Sequence, residues 1–257
     1  MKLSETLTLP AAYRLEELGQ VPCLRASAAG LANAGAEEGT IIVATEMTAA
    51  NGYQNKSWQG FDGNLHASLI LEPDCDDARY HEMLILGVTS LGSSLATHVA
   101  PMTSLTYRWP NDLYIAGQKV ASVWLDKGRA SKSDWLTVTV SANLLHAPGD
   151  DTGDFTLPTM SVREAEGNSD ITVEVLLETW ARQFIAEINN WHERGFAHIL
   201  AYWKARSERK ELEEVVLLGG SLVSGSQQHI YEDGACSVVQ ENGGSVDLSL
   251  PQYLHWV

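Results

Sequence analysis

Apolar and polar positions change period along the chain, and these changes predict the order of helices and strands. Apolar residues at helical spacing, with a glycine stop, predict a helix over 25–39, and β-branched residues predict a strand over 40–46. An alternating run predicts a second strand over 64–73, ending at Pro73. Helical spacing returns over 76–99, with acidic residues in its first turn.

Alternating runs fill the middle of the chain and predict antiparallel strands. They predict a hairpin that turns at Ala116-Gly117. The runs are "LTYRW", "LYIAGQKVASVWLD" and "SDWLTVTVSANLL".

Two polar stretches separate these periodic segments and are predicted to be loops. The first, 47–63, is rich in Gly and Asn, and a loop of such length is usually functional or disordered. The second, 146–169, precedes Asp170, which is predicted to N-cap the long helix "ITVEVLLETWARQFIAEINNWHERG". A shorter helix, "FAHILAYWKARS", follows.

The pattern changes again after the charged run "ERKELEE", where short strands are separated by Gly pairs and an Asp-Gly turn. This change predicts two domains, residues 1–212 and a small β unit over 213–257. The predicted fold class is α+β, with a mixed or antiparallel sheet flanked by helices.

Composition excludes several classes of function. The chain is 44% apolar with a net charge of −16, which predicts an ordinary globular protein without a basic surface for nucleic acid. No apolar run is long enough to span a bilayer, and the N-terminal residues show no export signal. Three scattered cysteines argue against disulfides or a zinc site, so we expect a cytoplasmic protein with reduced thiols.

The stretch "TYRWPNDLYIAGQKVAS", residues 106–122, concentrates polar residues between two apolar runs. Pro110 favours an extended Trp109, and Asn111 and Asp112 follow at the corner, where their side chains can bond nearby backbone. In a regular strand Val120 would face one side of the sheet, and Lys119 with Ala121 the other. Spacing alone therefore favours a solvent-facing Lys119 over a functional one.

The same stretch resembles the signature of biotin protein ligases, in which a basic residue, Trp-Pro-Asn-Asp, a short strand and Lys-Leu-Ala-Gly follow in order. "GNLHASLIL", "TVSANLL" and "GFAHILAYWKARS" are similar to other family segments, and the C-terminal segment resembles the family's SH3-like domain. The resemblance covers roughly residues 20–250 and implies a class II biotin/lipoyl synthetase-like catalytic domain without an N-terminal DNA-binding domain.

The resemblance implies an AMP-forming ligase that uses ATP and Mg²⁺ to convert biotin, or a related acid, to an acyl-adenylate. The acyl group would then pass to a lysine of a biotin carrier protein domain. By position, Lys119 would be the catalytic lysine that contacts the carboxylate and the phosphate, and Arg108 the family's basic residue. Asn111, Asp112 and Asn143 would shape the side of the site that binds ATP and Mg²⁺.

The chain departs from the family in its phosphate loop, Gly-Arg-Gly-Arg-x-Gly-Arg-x-Trp, which reads "ANGYQNKSW" here. Gly52 and Trp58 are kept, Asn51 and Tyr53 replace arginines, and Lys56 is the remaining cation. The loop therefore lacks the fork-shaped donors that clamp a diphosphate. Tyr53 and Trp58 could close over a ligand or pack against the sheet.

Other departures concern the acid-binding side. The family's Ser-Thr-Asn trio is replaced by Leu24-Arg25-Ala26, which removes polar contacts to the ureido ring. Ser122 and Ser141 replace glycines, and a side chain at a glycine position leaves less room for a ligand. His66 is interpreted as a core or solvated histidine on a strand that should border the cleft.

These observations leave three hypotheses open. The chain is an active biotin or related acyl ligase, a ligase-like fold that binds a small molecule or a protein partner without catalysis, or a carrier-docking protein. In the second hypothesis Trp109 and Asp112 are structural. The lipoate transferases of the same family offer a variant of the first. Nothing in the sequence selects an oligomeric state.

Overall fold

An eight-stranded sheet lies at the centre of the part of the chain that the computed structural model describes. That part comprises residues 3, 7–51, 57–130, 133–148, 158–167, 171–208, 213–218 and 221–256, with the backbone alone described for residues 51, 57, 58, 213–218, 221 and 222. The strands are β1 (Arg14–Val21), β2 (Thr40–Asn51), β3 (Ser57–Gly60), β4 (Leu65–Leu71), β5 (Leu105–Arg108), β6 (Asp112–Ile115), β7 (Gln118–Arg129) and β8 (Asp134–Ala142). Their order is β1-β2-β4-β8-β7-β6-β5, and β3 pairs with β2 outside this path. β1 runs parallel to β2, and the other pairs are antiparallel.

Helices cover both faces of this sheet. They are α1 (Leu24–Asn33), α2 (Glu82–Ala96), α3 (Val162–Glu166), α4 (Val173–Arg194) and α5 (Phe196–Arg206). α1 packs with Ile42 and Ile70 on one face. α2, α4 and α5 share the larger core on the other face, where Gly87 lets α2 approach Val123 and Val138. The α+β fold class with a helix-flanked mixed sheet is confirmed.

A second, antiparallel sheet follows near the C-terminus. Its strands are β9 (Glu213–Leu218), β10 (Ser221–Ile230), β11 (Cys236–Val239) and β12 (Ser245–Leu248), in the order β12-β11-β10-β9. This sheet is consistent with the predicted SH3-like unit. A short helix, α6 (Leu250–Tyr253), ends the described chain; it was not predicted. Ser249 and Gln252 form its capping box, and Pro251 lies in its first turn.

The predicted loop over 47–63 is wrong for residues 47–51 and 57–60, which are strand, and is confirmed for residues 61–63, which form a turn. β2 continues to Asn51 and pairs antiparallel with β3, so the segment is a hairpin on either side of residues 52–56, which lie outside the described residues. Met47 and Ala50 are buried in the cluster beneath α1, and this burial keeps the Gly/Asn-rich segment extended.

Three other local predictions can be compared with the structure. The turn at Ala116-Gly117 is confirmed, with φ of 50° and 78°, as a two-residue hairpin loop with both residues left-handed requires. Thr172, rather than Asp170, N-caps α4, since its side chain accepts from Val175 N. The loop over 146–169 contains α3, which begins at a capping box that the prediction overlooked.

No helix in the described ranges is long and apolar enough to cross a membrane.

Candidate active site

A β-bulge decides which face of the sheet Lys119 occupies. Leu113 pairs with Ala121 and Tyr114 pairs with Lys119, so Val120 is the extra residue on β7. In an unbulged strand Lys119 would share a face with Ala121; the bulge instead places it with Ser122. Val120 and Ala121 are both buried in the large core. The predicted sharing of a face by Lys119 and Ala121 is therefore wrong.

The bulge is held from a segment beyond β8. Lys119 N donates to Pro158 O at 2.8 Å, and Met160 N donates to Lys119 O at 3.0 Å. Asn143 N donates to Val120 O at 2.8 Å. The backbone is thus held at the extra residue, Val120, and at the residue before it, Lys119.

Lys119 is bonded to a carboxylate rather than directed into solvent. Its Nζ lies 2.7 Å from Asp112 Oδ1, and the two side chains are 12% and 16% exposed. Ser122 Oγ donates to the same Oδ1 at 2.7 Å. The simple interpretation of Lys119 as a solvent-facing lysine is wrong, because most of its surface is covered and its charge is compensated.

Asn111 ties the Trp-Pro-Asn-Asp corner to β7. Its Nδ2 donates to Val123 O at 2.7 Å and lies 3.4 Å from Ser122 Oγ, while its main-chain oxygen accepts from Val123 N. The preceding Trp109 donates from Nε1 to Gly234 O at 2.8 Å, linking the corner to the C-terminal sheet. The peptide bond between Trp109 and Pro110 is cis.

Arg108 lies at the same corner and is already paired. Its Nε donates to Glu208 Oε2 at 2.6 Å, and its guanidinium lies 3.8 Å from the centre of the Tyr114 ring. Burial disfavours the charged form most strongly of any single cause, but the hydrogen bonds and charge interactions with Glu208 and Tyr114 together outweigh it, and the pKa of Arg108 is raised. The guanidinium is therefore charged and pre-oriented beside the Lys119–Asp112 pair.

The cross-strand register assembles these groups into a row. Arg108 pairs with Asp112, Asp112 with Ser122, Ser122 with Ser141, and Ser141 with His66. Directly paired residues project from the same face of a sheet, so these five side chains form one polar row across β5, β6, β7, β8 and β4. The helices α2, α4 and α5 cover the opposite face.

His66 ends the polar row in a buried position. Its Nδ1 lies 3.3 Å from Ser141 Oγ, and its Nε2 is buried without a hydrogen-bond partner among the described residues. Burial lowers the pKa of His66 to about 4, so the imidazole is neutral at pH 7. A Cβ on Gly60 would lie 2.8 Å from Nε2, so the glycine lets the β2–β3 hairpin close over the ring.

A second cluster of side chains lies farther along β7, around Trp124 and Asp126. The Arg25 guanidinium lies 4.6 Å from the centre of the Trp124 ring, and its Nε donates to Asp126 at 2.8 Å. Tyr253 of α6 stacks on Trp124 with ring centres 6.1 Å apart. The position where the family's trio was predicted thus holds an arginine clamped against an aromatic ring.

Two buried asparagines shape the end of β8. Asn143 donates from Nδ2 to Met160 O at 3.4 Å, and its main-chain oxygen accepts from Val162 N at 2.7 Å. Asn64 Oδ1 accepts from three successive backbone N–H groups, those of residues 144–146. These bonds tie the segment that follows β8 to the residue before β4 and to residues 160–162.

The predicted phosphate loop is described only at its edges. Asn51 ends β2 and pairs through its backbone with Ser57, and Trp58 pairs with Ala50. Gly52, Tyr53 and Lys56 lie outside the described residues. Elsewhere in the described part of the chain, no group of three His, Cys, Asp or Glu side chains is arranged to hold a metal ion.

The structure thus brings Lys119, Arg108, Asn111 and Asp112 together and joins Asn143 to them through the bulge. Sequence reasoning missed the contributions of other residues. For Ser141 and His66 the signal was present as polar residues at alternate positions of β8 and β4, whereas Ser122 has the apolar Val120 and Trp124 at the alternate positions of β7. Other contributors, whose partners are distant in sequence, gave no local signal: Arg25, Trp124, Asp126, Glu208 and Tyr253.

This fold and this site define a class of protein. The family model described as the biotin/lipoate A/B protein ligase family matches residues 9–205. The chain belongs to this family.

Individual relatives agree with this assignment. The biotin–[acetyl-CoA-carboxylase] ligase of Paracoccus denitrificans is 26% identical over 198 residues, which cover 76% of this chain and 81% of that protein. A biotin protein ligase-like protein of unknown function from Silicibacter sp. TM1040 superposes with a TM-score of 0.73 at 23% identity, covering 97% of this chain and 99% of that one.

Biotin protein ligase from Aquifex aeolicus, in complex with biotin and ATP, has a TM-score of 0.69 at 21% identity, covering 91% of this chain and 94% of that one. The chain is therefore biotin-protein-ligase-like in sequence and fold, and solved structures of that fold hold biotin and ATP.

Proposed function

We propose that the protein activates biotin or a related carboxylic acid with ATP and transfers the acyl group to a lysine of a carrier protein domain. The observation that carries the proposal is the position of Lys119. The bulge turns its ammonium onto the face of the polar row, beside Arg108 and 2.7 Å from Asp112. An acid and a nucleotide that meet on this face bring negative charge to two pre-oriented cations.

The chemistry has two steps. A carboxylate oxygen of the acid attacks the α-phosphorus of ATP, the bond to the β-phosphate breaks, and pyrophosphate leaves. The carrier amine then attacks the acyl carbon, the bond to AMP breaks, and the amine proton passes to solvent. Lys119 contacts the carboxylate and the α-phosphate, where charge develops, and pre-oriented donors of this kind give large rate effects.

Asp112 compensates the charge of Lys119, and Ser122 keeps the carboxylate in place. We assign Arg108, Asn111 and Asn143 to the nucleotide, and by family resemblance we assign to it the phosphate-loop positions Asn51, Gly52, Tyr53, Lys56 and Trp58. The arginines absent from that loop predict weaker ATP binding than in relatives that keep them.

A Mg²⁺ ion fits this site only as a companion of nucleotide phosphates. Mg²⁺ is commonly held by one or two carboxylates with substrate phosphates, and Asp112 is the carboxylate of the polar row. The ion would supply charge compensation for the triphosphate. The protein's own residues orient the two substrates.

The partner proposed for the second step is a biotin carrier domain, as the name of the Paracoccus relative suggests. A carrier and an ATP supply of this kind belong to the cytoplasm, which is the location we infer.

The test is isothermal titration calorimetry with biotin, ATP with Mg²⁺, and biotinyl-5′-AMP, on the wild type, Lys119→Ala and Lys127→Ala. Lys127 lies on the same strand, where its Nζ contacts the Trp256 ring instead of the polar row. We expect binding of biotinyl-5′-AMP to be lost in Lys119→Ala and kept in Lys127→Ala, with AMP release on a carrier domain to follow. Absence of heat with every ligand would overturn the proposal.

A second candidate is a ligase-like fold that binds a ligand or a protein without catalysis. The observation in its favour is that the motif side chains are engaged within the protein: Trp109 with Gly234, Asn111 with Val123, and Arg108 with Glu208. Ligand binding without AMP release in the same experiments would support this candidate.

A further inference from the structure

Tyr253 joins the short C-terminal helix α6 to the polar row. The residue is 6% exposed, and its hydroxyl lies 3.0 Å from Asn111 Oδ1. Its ring stacks on Trp124 and meets the Trp109 ring edge-on, with centres 5.6 Å apart. The capping box at the start of α6 fixes the helix that carries the residue. A C-terminal side chain is therefore packed directly behind the Trp-Pro-Asn-Asp corner.

The hydrogen bonds of Asn111 can run in one direction only. Val123 O is a backbone carbonyl and can only accept, so the Asn111 group that faces it at 2.7 Å must be the amide NH₂. The Asn111 carbonyl then faces Tyr253, whose hydroxyl must donate. The tyrosine thus holds the amide in the orientation that β7 requires.

The chain of donors continues to the lysine's partner. The Asn111 amide is directed at Ser122 Oγ at 3.4 Å, and Ser122 Oγ in turn donates to Asp112 Oδ1 at 2.7 Å. Asp112 Oδ1 also accepts from Lys119. From Tyr253 through Asn111 and Ser122, every donor points toward the Asp112 carboxylate.

We propose that Tyr253 is a positioning residue: through Asn111 and Ser122 it orients Asp112, and thereby the ammonium of Lys119. The C-terminal segment then contributes to the site without touching the reacting atoms. The catalytic consequence of this inference rests on the proposed function, whereas the hydrogen-bond chain itself does not.

Removing the hydroxyl should affect turnover more than substrate binding. Tyr253→Phe keeps the ring against Trp124 and Trp109 but removes one of the hydrogen bonds that fix the Asn111 amide, leaving the bond to Val123 O. Because one hydrogen bond is lost at a distance from the substrates, we expect kcat to fall about 5- to 10-fold, with the KM for the acid changed less than about 2-fold.

The first experiment is independent of catalysis. The side-chain amide protons of Asn111 are followed by ¹⁵N NMR, and the rate of Lys119 acylation by an N-hydroxysuccinimide ester is followed by mass spectrometry. In Tyr253→Phe we expect faster exchange of the Asn111 amide protons with solvent and an altered rate at Lys119. Tyr231→Phe is the matched control, since it removes a tyrosine hydroxyl bonded to Asp247 on the exposed side of the C-terminal sheet.

The outcomes separate the two proposals. Unchanged amide exchange and unchanged Lys119 reactivity in Tyr253→Phe would overturn the positioning role, whether or not the wild type is a ligase. Altered exchange and reactivity with a lowered kcat, absent from Tyr231→Phe, supports both. If wild type forms no adenylate while exchange and reactivity respond to Tyr253→Phe, the positioning role stands and the proposed function fails.

Discussion

Lys119 on β7 and Asp112 on the neighbouring strand β6 form a cross-strand ion pair, and Ser122 bonds to the same carboxylate. The Nζ–Oδ1 distance is 2.7 Å, and neither side chain is more than 16% exposed. Partial desolvation strengthens the attraction between the two charges, and the serine satisfies part of the carboxylate's remaining capacity. The effects of mutating the two residues on the free energy of unfolding should therefore not be additive.

A double-mutant cycle should detect this unit. We expect Asp112→Asn and Lys119→Met to destabilise the protein singly and to show a coupling free energy of about 1–2 kcal/mol together. Urea unfolding of the four proteins gives the value.

The matched control is the Arg129–Asp134 pair, another contact between neighbouring strands of the same sheet. Its side chains are 82% and 37% exposed, so Arg129→Met with Asp134→Asn should couple by less than about 0.5 kcal/mol. Equal coupling in the two cycles would contradict the view that Lys119 and Asp112 form a desolvated pair.

Much of the sheet around this pair could be predicted from alternation and turn chemistry. The hairpin at Ala116-Gly117 and the strands on either side were predictable, because local sequence determines both. The bulge at Val120 was not, since residues 158–160 hold it and they lie far along the chain. Without the bulge, alternation assigns Lys119 to the wrong partners, so the main correction at the site comes from a non-local contact.

Substitution by alanine should lower the stability of the protein at one glycine and raise it at another. A Cβ on Gly92 of α2 would lie 2.2 Å from the hydroxyl of buried Tyr107, whereas a Cβ on Gly30 of α1 meets nothing within 4 Å. We expect Gly92→Ala to destabilise by about 1–3 kcal/mol and Gly30→Ala to stabilise by up to about 1 kcal/mol. Urea unfolding measures both, and a neutral Gly92→Ala would show that Tyr107 can move aside.

Removal of the partner of Arg108 should strengthen anion binding at the site. Glu208 Oε2 accepts from Arg108 Nε at 2.6 Å, and both side chains are largely buried. In Glu208→Gln the guanidinium keeps an acceptor but loses its counter-charge. If Arg108 faces the nucleotide as proposed, ATP affinity should rise about 3- to 10-fold by calorimetry.

Glu241→Gln is the control for Glu208→Gln, because it removes one negative charge at an exposed position of the C-terminal segment. A similar gain in both variants would indicate a general charge effect. No gain in Glu208→Gln would remove Arg108 from the proposed nucleotide side.

The sequence predicts part of the polar row, namely which strands have a polar face. Serine, threonine and histidine at every second position of β4 and β8 indicate a polar face on strands whose other positions are apolar. Which of these residues oppose one another depends on strand register, and the sequence order of the strands differs from their order in the sheet. The pairing of Ser141 with His66 and Ser122 was therefore beyond sequence reasoning.

His66 should make stability depend on pH below neutrality. Its native pKa is about 4, below the ordinary value of 6.5, so between these pH values the unfolded chain binds a proton that the native protein does not. Stability from this residue is present above pH 6.5 and is lost as pH falls toward 4, by about 2 kcal/mol between pH 7 and pH 5. His66→Gln should lose less stability than the wild type between pH 7 and pH 5, by the amount that His66 contributes. Urea unfolding of both proteins at the two pH values measures this difference. The same loss in both proteins would mean that other groups carry the pH dependence.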